Sequence, residues 1–444
     1  MLVQFRLRNF MSVRDEQVFS LVAATGIREK GNALTENVVT VSEHLDLVKT
    51  AVVYGANASG KSNLLRAINF LVMALHETPP AGTAVEKSQP FVLDRQTTNE
   101  PSLLEAVFLI DGVQYRYGFE IRNQLVVAEW LYVWRKQETI IFERHDNTLR
   151  IGRAYPKLKE LQAKSMINDA SLLLNLGALF NDESCLHVKK WASRVRYYHQ
   201  VQELGLILSP LLSTGDDDAT VTYLLDATGK ERVLQLLQVA DIGIDDLEVV
   251  EEKSFWGNIF RSKDQPPVTK PMVHTIRRVW DEKERIFHNV SMPLMYFESE
   301  GTRKLFNLIG LVLTILDEGG VFIADELDTK LHPLLTQRIV QLFNSPVTNP
   351  HNAQFVFATH DTNLLSAGLF RRDQIWFTEK DAKGATQLYA LTDYKPGGKT
   401  VRNDEQLEKN YIAGKYGGIP YLGNFDALFD PKSSPDEAVA VTHE

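Results

Sequence analysis

Residues 55 to 62 read Gly-Ala-Asn-Ala-Ser-Gly-Lys-Ser, a short polar loop bounded by two glycines and ending in a lysine and a serine. Glycine lets the backbone wrap phosphate oxygens closely, while the loop amides and the N-terminus of a following helix supply positive dipoles. Lys61 is placed to reach the β- and γ-phosphates of ATP, and Ser62 offers a hydroxyl to Mg²⁺. Gly55, Asn57, Ser59, Gly60, Lys61, Ser62 and Asn63 are therefore the candidate nucleotide contacts.

Three further clusters can complete such a site. Val321-Phe-Ile-Ala-Asp-Glu326 is a short apolar run ending in paired carboxylates: Asp325 would hold Mg²⁺ through its water shell, and Glu326 would polarise the water that attacks the γ-phosphate. Glu298-Ser-Glu-Gly-Thr302 opens a helical pattern through Leu316. Ser299 can cap that helix and Gly301 allows close backbone approach, so the helix start can take a second phosphate. Because residues 55 to 62 already hold the chain's own nucleotide, this second terminus points to the nucleotide of a neighbouring copy. Phe355-Val-Phe-Ala-Thr-His360 delivers a histidine to a strand end, where it can hydrogen-bond the γ-phosphate.

The elements that must position these groups are legible in outline. Residues 2 to 7 alternate as a strand and Val18 to Val22 is a second apolar stretch, an opening hairpin. Leu47 to Tyr54 is a β-rich run into the phosphate loop, and Asn63 to His76 carries Leu64, Leu65, Ile68, Leu71, Val72 and Leu75 at helical spacing. Asp111-Gly112 between two apolar runs predicts a tight hairpin, and Trp130, Tyr132 and Trp134 continue a β region as core. From 151 to 290 the texture turns helical, with Leu172 to Leu179, Val188 to Tyr198, Val233 to Val239 and Val273 to Arg285 as predicted helices. The acidic run Asp216 to Asp218 reads as a solvated loop. The expected division is 1–150 and 291–430 as two halves of one α/β head, 151–290 as a helical insertion, and 431–444 as a disordered tail.

Composition sets bounds. A chain of 444 residues, 44% hydrophobic and 24% charged, can build a large core with an insertion, or two to three domains. The net charge of −9 argues against a surface that coats nucleic acid throughout. A single cysteine, Cys185, can form no intramolecular disulfide and fits a reducing cytoplasm. The longest mostly apolar run, Leu305 to Leu316, falls short of the roughly 18–20 residues that span a bilayer, so no membrane segment is expected.

Taken in order, phosphate loop, Ser-Glu-Gly-Thr, Asp325-Glu326, Leu327-Asp328 and His360 resemble the ABC-type ATPase heads of SMC, RecF and OLD-like proteins. Asp328-Thr-Lys-Leu-His332-Pro333, Tyr115 to Ile121, Arg371 to Phe377 and Tyr411 to Pro420 look like the RloA/AbiL kind of AAA-type ATPase, associated with bacterial phage defence. The resemblance covers residues 1 to about 150 and 290 to about 425. It implies an α/β head, a mixed P-loop sheet plus an antiparallel β lobe, and a head-to-tail dimer or higher oligomer. In that dimer Gly55 to Ser62 of one copy and Ser299, Gly301 and Thr302 of the other enclose each ATP, with Asp328 across the interface. It also implies a partner effector, a nuclease or toxin, encoded nearby. The signature lacks a second glycine, Met11 stands where related openings often carry a basic residue, and Gln89 is the candidate Q-loop glutamine.

The expected function is an ATP hydrolase, releasing ADP and phosphate, with Glu326, Lys61 and His360 as catalytic residues and Ser62 and Asp325 as Mg²⁺ ligands. It would serve as the sensor or regulatory subunit of a defence system. The alternative is a nucleic-acid-binding repair or motor ATPase, motivated by Lys189, Lys190, Arg194 and Arg196 interleaved with Trp191, Tyr197 and Tyr198. A GTPase is disfavoured, since Thr378-Glu-Lys-Asp381 lacks the asparagine of a guanine-reading motif.

Overall fold

The structure, a computed structural model, describes residues 1–25, 34–77, 87–145, 148–163, 166–199, 217–240, 242–253, 269–283, 286–395, 401–402 and 405–420. The expected tail at 431–444 and Asp216 lie outside them.

Strands β1 (Leu2–Arg8) and β2 (Gln17–Ser20) form the opening hairpin, followed by β3 (Val38–Ser42), β4 (Leu45–Val48) and β5 (Thr50–Gly55). Helix α1 (Lys61–His76) starts at the phosphate loop. Strands β6 (Ser102–Ile110), β7 (Val113–Arg122), β8 (Leu125–Trp134), β9 (Glu138–His145) and β10 (Thr148–Ile151) are a meander. With β1 and β2 they make a seven-stranded antiparallel sheet in the order β10-β9-β8-β7-β6-β1-β2. The Asp111-Gly112 turn has φ of 49° and 76°, the left-handed pair that a two-residue hairpin demands.

Helices α2 (Pro156–Ala163), α3 (Leu173–Leu179) and α4 (Glu183–Ala192) lead to strand β11 (Val195–Tyr198). Then come α5 (Asp217–Leu224), α6 (Ala227–Val239) and strands β12 (Asp246–Lys253), β13 (Thr269–Asp281) and β14 (Ile286–Pro293), an antiparallel three-stranded sheet. The chain closes the head with α7 (Leu294–Phe297), α8 (Glu300–Glu318), β15 (Val321–Ala324), α9 (Pro333–Asn344), β16 (Gln354–Ala358), α10 (Asn363–Ser366), β17 (Ile375–Lys380), β18 (Thr386–Ala390) and α11 (Leu407–Ile412).

The second large sheet runs β11-β15-β16-β5-β17-β18, parallel except for β18. Its inner strands are buried on both faces, which explains their continuous apolar runs. Ala51, Val53, Ile323, Val356 and Ala358 face α1 and the antiparallel lobe, while Val52, Tyr54, Phe322, Phe355 and Phe357 face α8 and α9. Helix α1 is thus sandwiched between the sheets and buries Leu64, Leu65, Ile68, Leu71, Val72 and Leu75, as its spacing predicts.

Four expectations need correction. Val188 to Tyr198 is not one helix: α4 ends at Ala192, and Val195-Arg-Tyr-Tyr, rich in β-formers, joins the core sheet beside β15. Val273 to Arg285 is largely strand. Val273 and Thr275 alternate inward at period two, and the full-length pairings with β12 and β14 outweigh helical spacing. The Leu47 to Tyr54 run is two strands in different sheets, divided at the buried Lys49, whose ammonium donates to the Asn344 carbonyl (3.1 Å). Of the three tryptophan-strand aromatics, Trp130 is core but Trp134 is 50% exposed.

Two fully buried glutamines stitch the head. Gln354 accepts from Leu2 N (2.6 Å) and donates to Leu2 O (2.9 Å) and Val48 O (3.3 Å), tying β1 to the parallel sheet. Gln374 donates to the Thr50 carbonyl (2.8 Å) and accepts from Asn37 (2.8 Å) and Arg371 N (2.8 Å). Gln354→Leu strands three backbone groups in the interior, so it is expected to destabilise the fold by roughly 2–4 kcal/mol, measurable as a lowered midpoint in urea with an unchanged slope.

Candidate functional site

Strands β5, β15 and β16 all end at the same edge of the parallel sheet, so the phosphate loop, Asp325 and His360 arrive there together. The loop is tightly built. Gly60, the N-cap of α1, has φ of 114°, and a Cβ there would run into the Thr386 side chain. A Cβ at Gly55 would collide with the hydroxyls of Ser59 and Thr378. Those hydroxyls bond each other (2.6 Å), Thr386 donates to Ser59 O (2.8 Å), and Asn63 donates to Ser12, which in turn bonds Thr386 (2.7 and 2.8 Å). Ser59 and Asn63 therefore brace the loop from behind, while Asn57 lies exposed at its tip.

Lys61 folds back over the loop, donating to the carbonyls of Gly55 (2.7 Å) and Ala56 (3.0 Å). Burial pulls its pKa down to about 8, partly opposed by the carboxylates of Asp325, Asp328 and Glu326. Ser62 donates its hydroxyl to Asp325 (3.0 Å), whose carboxylate is 2% exposed. One hydroxyl and one buried carboxylate are hard oxygen donors, and an octahedral Mg²⁺ needs few protein ligands beyond phosphate and water. The donor set and the glycine cradle fit Mg²⁺ with a polyphosphate. Among the described residues no cluster of three or more His, Cys, Asp or Glu suggests a different metal.

Glu326 follows Asp325 with a left-handed backbone (φ 52°) and an exposed side chain. His360 lies near Lys61, Asp328, Glu326 and Asp325; partial enclosure and then the Lys61 charge lower its pKa, which favours a neutral ring. Asp328 accepts from the His360 backbone N–H (3.3 Å) through one oxygen, and its Oδ1 is buried without a partner. The candidate residues 55 to 63, 325, 326, 328 and 360 thus share one neighbourhood.

Ser299, Gly301 and Thr302 stand at the start of α8. Ser299 caps α8, accepting from Thr302 N (3.1 Å) and bonding its hydroxyl (2.9 Å). Among the described hydrogen bonds none joins these residues to the phosphate loop. Gly301 has a reason within the chain: a Cβ would stand 2.7 Å from the Lys330 carbonyl. Three residues of the aromatic and basic cluster behind the nucleic-acid reading have partners within the chain. Trp191 stacks on Phe108 inside the core (4.1 Å), Lys190 pairs with Asp111 (2.7 Å), and Lys189 donates to the Glu77 carbonyl.

His199, which sequence reasoning missed, stands beside Asp325 because β11 pairs with β15 (Nε2 to Oδ2, 3.6 Å). Arg66 donates to the same nitrogen (3.1 Å), so Nε2 is an acceptor and the approach is not an ion pair in this arrangement. The signal was present: Val195-Arg-Tyr-Tyr198 is a short run rich in β-formers that delivers a histidine at its end, as Phe355 to Thr359 deliver His360. Gln89, the Q-loop candidate, is seen instead accepting from Met11 N (2.7 Å) through its backbone.

The depressed Lys61 pKa has a measurable consequence. Polyphosphate charge favours the ammonium, so nucleotide binding at pH 8 is expected to take up about half a proton, falling to none near pH 6 where Lys61 is already charged. Calorimetry of ATP binding in buffers of different ionisation enthalpy reads this directly; zero uptake at pH 8 would contradict the assignment.

Among solved structures, the SMC head domain from Thermotoga maritima aligns at 13% identity over 88% of this chain and 98% of that one, with a TM-score of 0.39. An SmcHead bound to the C-winged helix domain of ScpA aligns at 13% identity over 88% of this chain and 97% of that one, with a TM-score of 0.45. No curated protein matches the chain. No described helix is long and apolar enough to cross a membrane. Residues 51–366, which span the phosphate loop, the signature turn, the paired carboxylates and His360, match the family described as "AAA domain, putative AbiEii toxin, Type IV TA system", and the chain belongs to that family.

Proposed function

We propose that this protein hydrolyses ATP to ADP and phosphate in sites shared between two copies of the chain, and that the cycle regulates a partner effector. The observation that carries the hydrolytic reading is the Ser62–Asp325 contact at 3.0 Å, with Lys61 above the same loop and Glu326 next in the chain. Lys61 and the loop amides bind and orient the triphosphate. Glu326 accepts the proton of the attacking water, and neutral His360 donates a hydrogen bond to the γ-phosphate. Mg²⁺ on Ser62 and Asp325 would offset charge developing on the phosphate oxygens.

The shared site is supported by what Ser299 and Thr302 do not touch. They cap an exposed helix start whose described bonds do not join it to residues 55 to 62 of its own chain, and a helix N-terminus is suited to the nucleotide of a second copy. The regulatory role is supported by the family description, which concerns toxin–antitoxin pairs. The RloA/AbiL likeness favours a bacterial phage-defence complex in the cytoplasm, with a nuclease or toxin as effector. One contact supports a route for the signal: Arg277 of β13 grips Glu298, the residue before Ser299, through both carboxylate oxygens (2.9 and 2.7 Å), and the Glu298 side chain is 5% exposed. Movement of the three-stranded sheet is thereby carried to the signature turn.

Two outcomes are expected. Glu326→Gln should reduce turnover at least about a hundredfold while leaving ATP affinity near normal, as read by phosphate release and equilibrium binding. Lys61→Ala and Ser299→Arg should each be inactive alone. Mixed one to one they should recover measurable activity, at most about a quarter of wild type, because half the dimers are mixed and each carries one intact composite site beside an empty one. No recovery on mixing, with subunit exchange verified, would sink the shared site.

A further inference from the structure

Lys304 is the one lysine of α8 and is fully buried. Burying an ammonium is costly unless its hydrogens are satisfied. Its Nζ donates to the backbone carbonyls of Glu326 (3.1 Å) and Thr329 (2.7 Å), with the Tyr198 ring 5.8 Å away. The contact belongs to a wider seam. Three residues earlier on the helix, Gly301 fits against the Lys330 carbonyl, and Glu300 pairs with Lys330 (3.2 Å). The loop on the other side turns through left-handed, non-glycine backbone at Glu326 (φ 52°) and Lys330 (φ 63°), conformations that persist only where surroundings enforce them.

We propose that Lys304 is a positioning residue for ATP turnover, fastening the loop that carries Glu326 and Asp328 to the helix that begins at Ser299. The inference rests on the shared-site reading and deepens it. A nucleotide of the second copy engaging Ser299 to Thr302 would then set the Glu326 carboxylate of the same chain through this ammonium, so that each site senses the other's occupancy.

The test uses the full chain and ATP. Lys304→Met keeps the apolar stem but removes all three donors. The expected result is an ATP Kd within about twofold of wild type and a kcat lowered about tenfold to a hundredfold, with the Hill coefficient for ATP falling toward one. Wild-type turnover, or kcat and affinity lost in parallel, overturns the positioning role. Should the variant fail to fold, wild-type hydrogen exchange with a non-hydrolysable ATP analogue decides instead: residues 299–304 and 326–331 gaining protection together supports the coupling, and one segment responding alone overturns it. A wild-type chain without ATP turnover removes the proposed function and this inference with it. Equal turnover in both proteins removes the inference only.

Discussion

The hydrogen bond from Ser62 to Asp325 joins groups 263 residues apart in the chain, and most of the head serves to make that meeting reproducible. Ser62 sits in the first turn of α1, which fixes it relative to the end of β5; Asp325 directly follows β15. Between them runs β16, paired in parallel with both, so the position of Asp325 depends on two ladders of register. A slip of one residue in either would turn Asp325 toward the opposite face. Burial of both faces penalises such a slip, because Phe322, Phe355 and Phe357 on one side and Ile323, Val356 and Ala358 on the other have no interchangeable volumes. Gln354 adds a polar constraint at the start of β16, since its side chain is satisfied only when β1 and Val48 stand where they do.

Three buried or nearly buried lysines show a common device. Lys49 donates to Asn344 O, Lys61 to Gly55 O and Ala56 O, and Lys304 to Glu326 O and Thr329 O. A carboxylate partner would neutralise each cation; a carbonyl satisfies its hydrogens and leaves the charge in place. At Lys61 that retained charge is available for a polyphosphate. At Lys49 and Lys304 the donated bonds join segments that share no ladder: the residue before β5 with the end of α9, and α8 with the loop after β15.

What was legible in the sequence was what local geometry dictates. Gly55 to Ser62, the α1 pattern and the Asp111-Gly112 turn each carry their determinants within a few residues, and the structure has them as read. What was not legible depends on pairing across the chain. Val195 to Tyr198 becomes a strand because β15 offers it a free edge, and only that pairing brings His199 to Asp325. Trp191 among basic residues resembled a stacking surface; its stacking partner is Phe108, more than eighty positions earlier. Val273 to Arg285 fits both a helical and a strand period, and the choice is made by two flanking strands rather than by its own residues.

The signature turn unites these themes. Both its ends are held, Arg277 gripping Glu298 on one side and Lys304 the loop of Glu326 on the other; between them Glu300 and Gly301 meet Lys330, and the described side-chain hydrogen bonds of Ser299 and Thr302 are local. A segment anchored in this way cannot absorb a push at its centre by local bending, so displacement must pass to one anchor or both. One anchor belongs to the three-stranded sheet and the other to the loop of Glu326. A ligand that pressed on Ser299 would therefore act on both at once, and anything that moved β13 would be felt at Glu326 through the same short stretch of chain. Residues 298–304 are thus one short stretch of chain that is bonded both to β13 and to the loop of Glu326.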